Sequence, residues 1–450
     1  MRRYLLPILV SFCWLDLTHA QEYKAGVGRA DITPTEPIRL AGYASRTKPH
    51  ESVDQPIAVK ALALQDPAGA ITLLVTADTI GTPRWFNDEL AQRIERDLKI
   101  PRGRFLFACS HSHSTPVIHG ALTAMYGLNE QEAGAVQGYT QMFLEKSFAA
   151  AQQAVADLQP ATLAHGRGEA GFAGNRRQFG PKGVGFGINP DGAVDHEVPV
   201  LRVARPDGSL KAVLFGYACH CTTPGAGPEV SGDWAGHAQA HLEQAYPGAT
   251  ALFITGCGAD ANPNPRGSII LARAHGLHLA GAVARALTAP MKPVQGSIAA
   301  AFGRADLPVG LPPDRAYYEA KLKEKAPAVQ RYAQDYLAKI DKGEAFITSY
   351  AAPVQVLRFG RTFTLIGLSG ETCVDYALRL RRELPGETLW VSGYCNDVFA
   401  YVPSMRILTE GGYEADFSMI YYGFPTRFAP EVEGVLIGKA LELVKQTDAP

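Results

Sequence analysis

Apolar residues along this chain gather into short runs that stop abruptly at chemically active side chains. Phe105 to Cys109 is too short for an ordinary helix and is bounded by turn-forming residues, which predicts a buried strand. Directly beyond it, in RFLFACSHSHSTP (Arg104 to Pro116), stand His111 and His113. The layout recurs. Ile71 to Asp78 ends in aspartate, Ala212 to Ala218 leads to His220, and Ala251 to Gly256 leads to the loop Cys257 to Pro263. Thr362 to Leu368 runs into Ser369, Gly370 and Glu371, and Thr388 to Gly393 is followed by Tyr394, Asn396, Asp397 and Tyr401. In open α/β sheets ligands bind beyond the carboxyl ends of the strands, where the departing loops converge. Strand ends that carry histidines, a glutamate and tyrosines predict a hydrolase-like site.

Between these runs the period changes. Trp85, Leu90, Ile94 and Leu98 recur at helical spacing over Pro83 to Leu98, and Tyr139 to Leu158 is an Ala-rich helix that ends before Pro160. Further helices are predicted from Ser231 or Asp233 to Tyr246, over Ile269 to Ala289, over Thr372 to Leu384 and over Pro430 to Lys445. Ala25 to Pro34 reads as a strand and turn, and Ile57 to Gln65 with Ala70 to Asp78 as a strand pair. Pro312 to Lys342 is charged and helical in period, an exposed excursion with no special chemistry. Gly171 to Pro190, which contains Asn175-Arg176-Arg177, is the longest irregular region; loops of that length are usually functional or mobile. Alternating strands and helices predict an α/β fold with mixed β-sheets covered by helices and an active site at strand carboxyl ends. No linker-like stretch or internal repeat interrupts the chain, so residues 21–450 are expected to form a single domain.

Residues 1–20 stand apart. Arg2 and Arg3 precede the apolar stretch Leu5 to Leu15, and Thr18-His19-Ala20 offers a cleavage site, so a secretory signal peptide is expected, with a mature chain starting near Gln21. The apolar core is too short to favour a membrane span, and no later segment is long enough to cross one, which predicts a secreted or periplasmic protein. Without Cys13, six cysteines remain: Cys109, Cys219, Cys221, Cys257, Cys373 and Cys395. Six allow 15 pairings, and no bridge is assigned; small side chains buried beneath a crowded site are the expected reading. Cys219-His220-Cys221 lacks the spacing of a structural zinc site. A formal net charge of −1 gives no general footprint for nucleic acid.

The candidate chemistry centres on histidine. His111 and His113, one residue apart, read either as a metal ligand with a neighbour that acts on substrate, or as hydrogen-bonding loop residues. His220 on a separate strand, together with Glu371, completes a His/His/Glu set of the kind that holds catalytic zinc while leaving a position open for water. His237 and His241 share a helix face, but Ala238 after His237 breaks the H-E-x-x-H pattern. Asp195-His196-Glu197 reads as a strand entry. Ser45, Ser110, Ser112 and Ser114 can each be nominated as a nucleophile, yet no G-x-S-x-G elbow exists.

Several stretches carry a resemblance in shared order: VGRADITP (Val27 to Pro34), SHSHSTP (Ser110 to Pro116), Asn175-Arg176-Arg177, CHCTTP (Cys219 to Pro224), SGD at Ser231, SGET at Ser369, and YVPSMRILTEGGYE (Tyr401 to Glu414). Together they resemble the amino-terminal catalytic domain of the neutral/alkaline non-lysosomal ceramidase family over nearly all of the mature sequence. The resemblance implies one zinc ion (Zn2+) held by His111, His220, Glu371 and Tyr401. It also implies a substrate head lined by His113, Arg176 and Tyr413, with His113 donating to the oxyanion or shuttling a proton. The implied activity is hydrolysis of a ceramide-like N-acyl amide by zinc-activated water, in sphingolipid metabolism. The partner implied is a small-molecule or lipid N-acyl substrate. The pattern departs at ADANPN, where Asn262 takes the place of a serine with a catalytic part in the family's GDVSPN; Asn262 is then expected to orient substrate or stabilise the oxyanion. The family's carboxyl-terminal immunoglobulin-like domain is not expected within these 450 residues. Two other readings stay open: a zinc hydrolase of another ester or amide, and a non-catalytic protein that keeps the pocket for a small polar ligand.

Overall fold

The computed structural model describes residues 23–448. The expected signal peptide and its cleavage site lie outside the described residues. The first sheet is a meander flanked by parallel pairs. Strands β1 (Tyr23–Asp31), β2 (Ala58–Gln65) and β3 (Ile71–Ala77) form an antiparallel meander, and β3 pairs in parallel with β4 (Phe105–Cys109). On the other side of β1 follow β5 (Gln159–Glu169), β6 (Glu197–Ala204) and β7 (Leu210–Tyr217), all antiparallel, then β8 (Thr250–Thr255), parallel to β7. A second sheet runs in the order β9 (Ile298–Pro308), β10 (Ser349–Phe359), β11 (Phe363–Leu368) and β12 (Leu389–Ser392), its last pair again parallel.

Parallel neighbours need a crossover, usually a helix. Helix α1 (Arg84–Leu98) joins β3 to β4, α3 (Asp233–Ala245) joins β7 to β8, and the helix Val374–Glu383 joins β11 to β12. Each crossover leaves from a strand's carboxyl end, so the chemistry-bearing loops gather on that side. The two edges of the first sheet are also drawn together, because Thr255 Oγ1 at the end of β8 donates to Cys109 O at the end of β4, 2.7 Å away.

The layers follow from which strands are apolar on both faces. Leu62, Leu74, Leu106, Leu214 and Ile254 of the first sheet pack against Leu357, Leu365 and Trp390 of the second. The opposite face of the first sheet is covered by α1 and α2 (Glu130–Ala156) at one end. At the other end α3 and α4 (Ile269–Thr288) cover it. Helices Val374–Glu383 and Val432–Gln446 cover the second sheet. The result is an α–β–β–α stack, a mixed α/β fold as expected. Burial on both sides is why β3 and β4 appear in the sequence as unbroken apolar runs. Contact between α2 and β1 depends on glycine: a Cβ at Gly28 would lie 2.0 Å from Ala150 O.

Three expectations need correction or extension. Helix α2 begins at Glu130, well before Tyr139, because Asn129 and Glu132 form a reciprocal capping box. Gly171 to Pro190 is not irregular throughout: Ala173–Asn175 pairs with Ala261–Pro263, and Arg177–Gly180 forms a hairpin with Gly183–Phe186. Most of the hairpin's residues are exposed, so no core-facing alternation marks it in the sequence. Pro312 to Lys342 forms helices Arg315–Lys321 and Pro327–Asp341, whose tyrosines do structural work. Tyr332 and Tyr336 donate to Pro425 O at 2.9 Å and Gly423 O at 2.7 Å, bracing the segment that carries Tyr421 and Tyr422.

Candidate metal centre

Four strand ends meet at one point. After β4 the chain turns through His111 at φ +58°, a left-handed conformation that costs a residue with a Cβ and concentrates at functional sites. The turn is held by Ser112 Oγ, which donates to Ser231 O at 2.8 Å, and by His113 N, which donates to Cys221 O at 3.0 Å. His220 follows β7, and its backbone N donates to Ala261 O at 3.1 Å. Glu371 follows β11 in a two-residue strand, Glu371–Thr372, paired in parallel with Tyr401–Val402. That pairing places Glu371 and Tyr401 side by side.

The hydrogen bonds determine the protonation of these groups. Nδ1 of His111 lies 2.6 Å from Ile80 O, Nδ1 of His220 lies 2.9 Å from Gly258 O, and Nδ1 of His113 lies 3.2 Å from Gly42 O. A carbonyl only accepts, so each Nδ1 carries the hydrogen and each Nε2 a lone pair. Those lone pairs are aimed at further acceptors. Nε2 of His111 faces Glu371 Oε2 at 3.1 Å and His113 Nε2 at 3.1 Å. Nε2 of His220 faces the same Oε2 at 3.1 Å and Tyr401 OH at 3.0 Å. The one phenolic hydrogen of Tyr401 can satisfy only one of them.

Such a cluster needs added protons or a cation. Burial, and then its imidazole neighbours, hold His113 well below the usual histidine value; burial and Arg176 bring His220 down to about 4. Neither is protonated near neutral pH. Burial works against the Glu371 carboxylate; imidazolium charge on His111 and His220 would outweigh it and hold its pKa well below the ordinary range, and with the imidazoles neutral that part falls to a cation. The ligand atoms of His111, His113 and His220 all lie within 4.8 Å of one another. A buried group of imidazoles with an ionised carboxylate, its lone pairs turned inward, fits a divalent metal ion.

Beside this cluster lies a cavity of about 360 Å³ lined by His113, Arg176, Asn262, Tyr401 and Tyr413, all of them candidates from the sequence. His111, His220 and Glu371 stand behind its wall. Arg176 comes from the turn before the hairpin. Its Nη2 donates to Tyr401 OH at 3.1 Å and its Nε to Glu414 Oε1 at 2.8 Å. Burial opposes the Arg176 charge, but Tyr401 and Glu414 prevail and raise its pKa well above the usual value. Asn262 Oδ1 accepts from Arg176 Nη1 at 3.3 Å and from Thr222 Oγ1 at 3.2 Å. A guanidinium only donates, so the amide is oriented with Nδ2 left for the cavity.

Other nominated residues lie elsewhere or are inert. His237 Nε2 is 3.0 Å from Asp54 Oδ2, and Asp54 also takes Arg273. Glu197 opens β6, so Asp195-His196-Glu197 is a strand entry. Ser112 spends its hydroxyl on Ser231 O, and Ser45 is exposed. The six cysteines among the described residues are free and buried, and burial pushes the Cys109 and Cys257 thiols up to about 12. Two contributors were missed, and a third, Tyr394, was noted only as a residue beyond a strand end. Tyr422 OH donates to Glu371 Oε1. Glu414 lies between Arg176 and Arg177. Tyr394 sits with its ring centroid 4.5 Å from that of His111. Tyr394 was visible as a polar residue after β12; the other two carry no local signal.

A family model for the amino-terminal part of neutral/alkaline non-lysosomal ceramidases matches residues 23–306. No curated protein sequence matches the chain. Among solved structures, one described as a ceramidase complexed with C2 superposes with a TM-score of 0.73 at 18% identity, covering 95% of this chain and 76% of that one. The crystal structure of neutral ceramidase from Pseudomonas aeruginosa gives 0.71 at 19%, covering 94% and 74%. At these identities the two structures speak for the fold.

Proposed function

The chain belongs to the neutral/alkaline non-lysosomal ceramidase family, and from that premise we propose that it is an exported, zinc-dependent amidohydrolase of N-acyl, ceramide-like amides. The observation that carries the reading is the inward-turned set of lone pairs on His111, His220 and Glu371, 3.1 Å apart across Oε2, beside a cavity that holds the remaining candidates. His111, His220, Glu371 and Tyr401 hold the ion in this reading. His113 and Tyr401 both border the cluster and the cavity, and the family resemblance assigns His113 to substrate and Tyr401 to the ion. A zinc ion there supplies Lewis-acid polarisation of the amide carbonyl and a water whose pKa is lowered to ~7.

The protein's own groups do the rest. Asn262 Nδ2, oriented by Arg176 and Thr222, donates to the substrate carbonyl as its oxygen gains charge. An amide nitrogen is a poor nucleophile, since its lone pair is delocalised, so this position does not form an acyl-enzyme. His113 keeps its hydrogen on Nδ1 against Gly42 O, which leaves Nε2 to accept a proton before it can give one. Arg176 and Tyr413 bind the polar head of the substrate. The test is a screen of zinc-loaded protein against N-acyl amides, N-acyl sphingosine included, and the corresponding esters, with mass spectrometry of the mature amino terminus. Amide turnover that is lost on chelation is expected; a folded, zinc-loaded protein that turns over esters only, or nothing, sinks the reading.

A further inference from the structure

One charge on the cavity wall, that of the exposed Arg266, has no carboxylate partner among the described residues. Arg266, four residues after Asn262, lines the cavity with Tyr43 and donates from Nη2 to Tyr43 OH at 3.0 Å. The other cation on that wall, Arg176, is matched by Glu414 at 2.8 Å. Arg266 has no such match: among the described residues no carboxylate comes within ion-pair distance of it, and no residue lining the cavity is acidic. Asp233 is near enough to feel its field, but is buried and accepts from the backbone N–H groups of Thr223 at 2.7 Å and Trp234 at 2.6 Å. A second cation also borders Tyr43. The guanidinium of Arg46 sits 4.9 Å from the ring centroid, with the carbonyls of Gly225 and Gly227 as hydrogen-bond partners.

Arginine offers five donors in a planar fork that fits a carboxylate, and at Arg266 only one nitrogen is engaged, with an uncharged phenol. A neutral amino-alcohol head would leave that fork facing water. We propose that the substrate carries a carboxylate on its amine part, that is, an N-acyl amino acid, and that Arg266 with Tyr43 binds that carboxylate. The proposal rests on the amide-hydrolase reading only for the bond that is cut. There, water adds its oxygen to the acyl carbon, the C–N bond breaks, and the water's hydrogen passes to the nitrogen, giving a fatty carboxylate and a free amino acid.

Matched probes test it: N-octanoylglycine and the neutral N-octanoylethanolamine, compared on zinc-loaded wild type, Arg266→Ala, Arg266→Lys and Arg266→Glu by calorimetric binding and by amine release. Wild type should bind the anionic probe roughly tenfold more tightly, in keeping with a charge-assisted hydrogen bond. That preference should vanish in Arg266→Ala, survive in part in Arg266→Lys and reverse in Arg266→Glu, with the loss appearing in KM. Equal binding of the two probes, no binding of either, or a preference untouched by Arg266→Ala would overturn the proposal. Selective, Arg266-dependent binding without hydrolysis of either probe would uphold the carboxylate site and remove the hydrolase reading instead.

Discussion

Tyr422 donates its phenolic hydrogen to Oε1 of Glu371 and so leaves Oε2 turned toward the imidazoles of His111 and His220. A carboxylate buried in this way has two oxygens with different partners, and the tyrosine determines which one faces the metal position. Groups that orient a ligand from behind typically contribute 10–100-fold to metal affinity. Tyr422→Phe should therefore still take up one zinc ion per chain at saturation but hold it about 10–100-fold more weakly in competition with a chelator. Wild-type affinity in the variant would mean that the hydrogen bond does not orient the ligand.

Asn262 gives a kinetic prediction. Its Oδ1 is occupied by Arg176 and Thr222, so the group available to substrate is the NH2 end. Loss of one oxyanion donor costs about 10²–10³ in kcat. Asn262→Ala, folded and zinc-loaded, should show a loss of that order with little change in metal content; an unchanged kcat would leave Asn262 a loop-holding role alone.

How much of this was legible in the sequence depends on where each residue gets its partners. The strand ends at His111, His220 and Glu371 were readable because β4, β7 and β11 are buried on both faces and appear as apolar runs with sharp ends. Arg176 stood in a long glycine-rich stretch of the kind that is often functional, but its role, like that of Tyr413, came only through the resemblance. The roles of Tyr422 and Glu414 were not legible, although Glu414 closes a stretch that carries the resemblance: their partners are 51 and 238 residues away, and a lone tyrosine or glutamate in a helical stretch looks like any other. The hairpin after Arg176 was hidden because its side chains face solvent and follow no apolar period. The start of α2 could have been found from Asn129 and Glu132.

Glu414 is buried between two arginines: its carboxylate meets Arg176 Nε at 2.8 Å and also takes Arg177 Nη1, with side-chain exposures of only a few per cent. Removal of one member of a buried ionic group strands the others and typically costs about 3–5 kcal/mol. Arg177 keeps Glu410 and Gly411 O, which places the expected loss for Glu414→Ala near the lower end of that range. Urea denaturation measures it, and a loss under about 1 kcal/mol would show that water replaces the carboxylate.

Asp397 links stability to pH. Burial pushes its carboxyl up to about 7, although Tyr350 OH donates to Oδ2 at 2.6 Å and Arg84 Nε lies 3.6 Å away. An unfolded aspartate titrates near ~3.9, so between those values the folded state holds the proton more tightly. The stability this group contributes is complete below about 4 and is lost as pH rises through about 7. Asp397→Asn does not titrate, so its stability relative to wild type should climb from pH 4 to pH 8, by at most about 1.4 kcal/mol per pH unit. A difference that stays flat across that range would contradict the shift.

The central claim is that the lone pairs converging from His111, His220, Glu371 and Tyr401 exist to hold a metal ion. The direct measurement is metal content by mass spectrometry of purified, folded wild type and of His111→Ala and His220→Ala, each dialysed after zinc loading. One zinc ion per chain in wild type, and essentially none in either variant with the fold preserved by circular dichroism, is the predicted result. Full occupancy in either variant, or a wild-type protein that takes up no zinc, would contradict it.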